Sequence, residues 1–121
     1  MRLTIVLLTT LGALMPSSTT IAAEQDLTGR YTMEGTSLRP NSRSYAGECE
    51  LKRTDQVYEV HCINTHSGDK YVGKGIQRSD LFSLSLGEYL IVYRVSPAGR
   101  MDGNWANVRS NDYGRETLTP K

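Results

Sequence analysis

From residue 24 to residue 121 apolar and polar side chains alternate in short runs, and none of the runs carries the 3.6-residue stripe of an amphipathic helix. A chain with this texture buries one face of each of several strands, which makes it an all-β domain. Eight runs can be read between clusters of Gly, Pro, Asn, Asp and Ser: Gly29 to Ser37, Tyr45 to Arg53, Gln56 to Asn64, Lys70 to Gln77, Asp80 to Leu86, Tyr89 to Ser96, Met101 to Asn107, and Tyr113 to Thr119. Their tight joints point to a meander of hairpins. Eight consecutive antiparallel strands can close into an up-and-down barrel, which removes the exposed edges that two short open sheets would have to protect. The expected architecture is a small eight-stranded antiparallel barrel, with a β-sandwich as the alternative.

The second hairpin can be placed in register. Taking Asp55-Gln56 as a two-residue turn pairs Cys49 with Cys62, Leu51 with Val60, and Arg53 with Tyr58. One register thus sets both cysteines opposite each other on one face, where a narrow antiparallel pair can accept a disulfide. A zinc site is disfavoured. The cysteines are thirteen residues apart, His61 adjoins Cys62, and there is no C-x-x-C clip. On the opposite face the same register pairs Glu50 with His61 and Lys52 with Glu59, a surface ladder.

The first 23 residues read differently. Arg2 precedes a mostly apolar run from Leu3 to Leu14; Pro16 breaks it, and small residues follow to Ala22 and Ala23. That is the layout of a secretory signal peptide, with cleavage after Ala22 or Ala23. The run is too short to cross a bilayer as a helix. No cysteine near the cleavage site offers a lipid anchor. The expected mature chain is one domain, residues 24–121, periplasmic or secreted and soluble, in a compartment where a cysteine pair oxidises. Without Arg2 it carries 13 basic and 13 acidic side chains. That balance argues against nucleic acid and against a polybasic membrane surface.

No catalytic constellation emerges. His66, Ser67 and Asp69 share one short loop but lack the fixed geometry and oxyanion site of a triad. Paired glycosidase carboxylates would need a cleft. The chain is therefore read as non-enzymatic, with no cofactor and no metal. Tyrosine and tryptophan are more informative, because they offer large contact area with a polar handle. Tyr89, Tyr93 and Trp105 are the first candidates for a binding surface. Arg94 is a further candidate, able to meet a carboxylate-bearing ligand. Arg94 and Arg115 are otherwise expected in surface salt bridges with Glu116, Glu88 or Asp102. Arg39 and Arg43 lie in the Ser37 to Ser44 segment, an exposed loop of the kind that carries recognition residues.

Several phrases recur in order along the mature chain. They are Leu27-Thr28-Gly29-Arg30-Tyr31 with Glu34-Gly35, Tyr45-Ala46-Gly47, Tyr71-Val72-Gly73-Lys74-Gly75-Ile76, Val92-Tyr93-Arg94-Val95, Asp102-Gly103-Asn104-Trp105, and Gly114-Arg115-Glu116-Thr117-Leu118. This order resembles a group of small exported bacterial β-barrel proteins, some labelled fibronectin-binding-like, over nearly the whole of Leu27 to Pro120. The chain departs from that group in carrying the cysteine pair and in lacking a Gly-rich tract after Trp105. The strand count is also similar to that of periplasmic barrel-type inhibitors of proteases or lysozyme and of avidin-like barrels.

The absence of a catalytic set, with aromatics and loops at the barrel ends, points to a non-enzymatic extracytoplasmic interaction protein that binds a protein or cell-envelope partner, an inhibitor being the most concrete form. A barrel that binds a small, largely apolar ligand is the first alternative; a structural or accessory subunit of an envelope complex, with Leu90 and Val92 exposed, is the second. The large inward residues Phe82, Leu84, Leu86 and Ile91 favour a filled core over a ligand cavity.

Overall fold

The computed structural model describes residues 24–121. The expected signal peptide, residues 1–23, lies outside the described residues. Eight strands follow in order: β1 (Gly29–Arg39), β2 (Arg43–Thr54), β3 (Val57–Asn64), β4 (Lys70–Arg78), β5 (Leu81–Leu86), β6 (Tyr89–Val95), β7 (Met101–Asn107) and β8 (Tyr113–Pro120). Each pairs antiparallel with the next, and β8 pairs with β1 to close the barrel. The sandwich alternative is thereby excluded.

Side-chain alternation drives the closure. On β5, Phe82, Leu84 and Leu86 point inward while Ser83 and Ser85 face solvent. On β6, Ile91, Tyr93 and Val95 are buried, whereas Leu90, Val92 and Arg94 are exposed. Charged side chains such as Glu48, Glu50, Lys52, Lys74, Asp102 and Arg115 stand on the outside. An apolar interior inside a charged wall is the reverse of the pattern of a bilayer-spanning barrel. Among the described residues no helix is long and apolar enough to cross a membrane.

The second hairpin has the register read from sequence: Cys49 opposes Cys62, Leu51 opposes Val60, and Arg53 opposes Tyr58. The two cysteines are joined, with their Cα atoms 4.1 Å apart, and both are buried in the barrel interior. Asp55 makes the turn possible by adopting a left-handed backbone, φ 60°. Aspartate tolerates that region better than most residues do. His61 faces outward, opposite Glu50.

The two ends of the barrel differ. One carries the β2–β3, β4–β5 and β6–β7 connections and is sealed by the segment that precedes β1. Leu27 is almost wholly buried there. Its N–H donates to the Tyr58 hydroxyl (3.1 Å), and its carbonyl accepts from the Tyr31 hydroxyl (2.6 Å). Around it the Glu24 carboxylate accepts from the Ser79 N–H, the Gln25 amide donates to the Pro97 carbonyl, and the Thr28 hydroxyl accepts from the Arg53 N–H. One short segment therefore touches the β4–β5 and β6–β7 connections and the end of β2 beside the third. The other end, ringed by the β1–β2, β3–β4, β5–β6 and β7–β8 connections, has no such plug among the described residues.

The disulfide closes a loop with a sequence separation of 13. A loop of that size is worth about 3 kcal/mol through the unfolded chain. Replacing both cysteines by alanine is expected to lower the urea-unfolding free energy by about that amount. An unchanged value contradicts the assignment.

Candidate functional site

The unplugged end is organised around one buried acid. Glu116 lies on the inner face of β8 and is only 6% exposed. Its neighbour on β1 is Gly35 and its neighbour on β7 is Gly103. Beyond those glycines stand Tyr45 on β2 and Tyr93 on β6. The Tyr45 ring lies across Gly35, and the Tyr93 ring lies across Gly103. A Cβ on Gly103 would sit 2.6 Å from the Tyr93 ring, and one on Gly35 would collide with the Tyr45 ring. With no Cβ in the way, both hydroxyls reach the acid. Tyr45 donates to Oε1 at 2.9 Å and Tyr93 donates to Oε2. The result is a row, Tyr45–Gly35–Glu116–Gly103–Tyr93, across five strands.

Burial raises the Glu116 pKa above its ordinary 4.5, against the pull of the two hydroxyls, which favour the charged form. Tyr93 and Tyr45 are likewise pushed up, first by loss of water and then by the acid beside them. Trp105 sits next to this row on β7, 9% exposed. Among the described residues its indole N–H makes no hydrogen bond of good geometry. Buried donors are normally satisfied. This one stands beside a Tyr45 hydroxyl whose own proton goes to Glu116.

Above the row is a cavity of about 200 Å³. That is roughly seven water volumes. Its walls include Tyr45, Tyr71, Tyr89 and Trp105, with Glu116 below and Asp112 also lining it. Tyr89 meets Trp105 edge to face (centroids 5.3 Å, 90°) and Tyr71 at 6.1 Å and 75°. Toward the sealed end the interior is filled. Tyr93 stacks on Phe82 at 6.1 Å, and Phe82 meets Tyr58 edge to face at 5.6 Å. The expected filled core therefore holds for one half of the barrel and is corrected for the other. Phe82 and Leu84 pack the filled half, whereas Leu86 and Ile91 line the cavity.

Of the residues singled out from sequence, Tyr89 and Trp105 share the cavity. Tyr93 is fully buried and acts through Glu116. Arg94 is outside, paired with Asp80 at 2.9 Å. Arg39 and Arg43 are exposed on the β1–β2 hairpin, at the open end but not in the cavity wall. The expected salt bridges of Arg94 and Arg115 with Glu116 do not form, because Glu116 points inward. Glu88 pairs with Arg109 and Asp102 with Arg100. Sequence reasoning missed Glu116, Tyr45, Tyr71 and Asp112. The first of these was visible in the phase of β8, where Glu116 shares parity with Gly114 and with buried Leu118.

No known protein family matches the chain, and no curated protein is detectably similar to it.

Because Glu116 holds its proton more tightly when folded, unfolding releases that proton at pH values between 4.5 and the raised pKa. Its contribution is full below 4.5, declines as pH rises through that window, and is level above it. Glu116→Gln is expected to remove this decline when urea-unfolding curves are compared across pH. A wild-type contribution that grows with pH through the window contradicts the assignment. Separately, Gly35→Ala is expected to cost about 1–3 kcal/mol by displacing the Tyr45 ring. Alanine at an open strand position would instead be neutral or stabilising, and thermal unfolding separates the two outcomes.

Proposed function

We propose that this protein is a non-catalytic binding protein of the extracytoplasmic space whose open barrel end takes a small organic molecule. The observation that carries this reading is the asymmetry of the two ends. Leu27 and its neighbours stopper one, while the other holds an aromatic cavity above a buried acid. Concave, largely apolar sites with a few convergent polar groups are where small ligands bind. The volume sets the scale, since about 200 Å³ is below the range typical of drug-sized ligands. The buried disulfide and the signal-like leader support a location outside the cytoplasm. A binding role is favoured over catalysis because both Glu116 oxygens already accept tyrosine hydrogen bonds, and His61 and His66 stand outside the cavity wall.

A second reading, a protein or envelope partner, has its own support on the outer wall. Val72, Ile76, Leu81, Leu90 and Val92 are exposed there across β4, β5 and β6, with Leu90 at 52% and Val92 at 49%. Ile76, Ser83 and Val92 lie in one cross-strand row. Such a stripe suits an accessory subunit, and the protruding β1–β2 hairpin with Arg39 and Arg43 would suit an inhibitor.

Trp105 is the single tryptophan in the chain and lines the cavity, so its emission reports occupancy directly. A screen of small molecules against the oxidised protein is expected to find ligands that shift this emission. Tyr71→Ala and Tyr89→Ala are each expected to weaken them about tenfold, equivalent to roughly 1.4 kcal/mol. Ligands indifferent to both substitutions would move the site elsewhere and overturn the reading.

A further inference from the structure

The charge in the cavity wall is one-sided. Glu116 and Asp112 line it, and among the described residues no lysine, arginine or histidine does. Glu116 has hydroxyl donors but, among the described residues, no cation beside it. A buried carboxylate ordinarily needs a partner of opposite charge, and without one it takes up a proton instead. Four aromatic rings surround the same space, steeply inclined where they meet. A cation over the face of such a ring is attracted to it, and this attraction grows when the cation sheds water. The missing counter-charge and the ring box ask for the same kind of ligand.

We infer that the open end of the barrel selects a small organic ammonium ion, with the cationic head held among Tyr45, Tyr71, Tyr89 and Trp105 above the Glu116 carboxylate. This rests on the reading of the cavity as a ligand site and adds the sign of the ligand's charge. An anion would meet two carboxyl groups with no basic side chain to offset them. A neutral molecule of the same shape would fill the space but leave Glu116 without a counter-ion. About 200 Å³ suits a head group with a short tail and leaves no room for a long acyl chain.

Three molecules of nearly one shape and different charge make the test. They are choline, 3,3-dimethylbutan-1-ol and 3,3-dimethylbutanoate, each titrated into the oxidised protein with Trp105 emission as the readout. Choline is expected to bind at least about tenfold more tightly than the alcohol, with no binding of the carboxylate. Glu116→Gln is expected to erase the preference. Asp112→Asn, in the β7–β8 connection, is expected to reduce it several-fold without touching the buried row, so the inference stays testable if the Glu116 variant fails to fold. If the alcohol or the carboxylate binds as well as choline, the charge inference is overturned while the ligand site stands. If none of the three moves the emission at tens of millimolar, the charge inference is overturned and the ligand site loses its support for molecules of this size. Phosphatidylcholine vesicles carry the same head group. Co-sedimentation with them would assign the site to a lipid head, and choline binding without co-sedimentation to a free molecule.

Discussion

A carboxyl group buried at the closing seam of the barrel is the constraint on which the open end depends. β8 closes the sheet by pairing with β1, and Glu116 sits on that last strand, facing in. Its two hydrogen-bond donors come from opposite sides of the seam, Tyr45 from β2 and Tyr93 from β6. The three side chains bridge five neighbouring strands. Leaving one oxygen without its donor would cost about 1–3 kcal/mol, a large share of what holds a domain of this size together. Two glycines make the row possible, because a side chain at Gly35 or Gly103 would occupy the space of a tyrosine ring. The polar centre is thus bound to the packing around it, and neither can change alone.

The same constraint explains why the barrel is full at one end and hollow at the other. Below the row, Tyr93, Phe82 and Tyr58 form a chain of aromatic contacts that reaches the Leu27 stopper. Above it, Tyr45 leans across the wall to meet Glu116 and does not fill the space over it. The rings of Tyr71, Tyr89 and Trp105 stand around that space. A charged or polar group could not have been buried here without donors, and donors arriving from the walls leave the middle open.

Much of the fold was legible in the sequence because strands declare themselves by parity. The eight runs fall within two residues of the observed strands at every end, and the pairing of Cys49 with Cys62 about an Asp55-Gln56 turn is the observed one. The site was less legible. Its charge suggests a surface partner for Arg94 or Arg115, whereas Leu118 two residues on marks the face of Glu116 as interior. Sequence marks Tyr93 as a binding residue, whereas its ring is sealed beneath the acid. Tyr45 and Tyr71 do not stand out in the sequence because their role comes from neighbours across the barrel, which period-two patterning cannot reveal. The Leu27 stopper was hidden for the same reason. The partners of its flanking residues are far apart in sequence: Ser79 and Pro97 lie in two separate turns and Arg53 near the end of β2.

Shape, charge and chemistry therefore meet at one group. The Glu116 side chain is the structural tie of the seam and, in the proposed complex, the anionic floor of the cavity. Carbon-13 nuclear magnetic resonance of that side-chain carboxyl, followed through a pH titration of the folded oxidised protein, addresses this most directly. The account predicts a midpoint above 4.5 and a downward displacement of that midpoint when an ammonium ligand is added. A midpoint at or below 4.5, unmoved by such a ligand, would contradict both the dominance of burial at Glu116 and its part as the ligand's counter-charge.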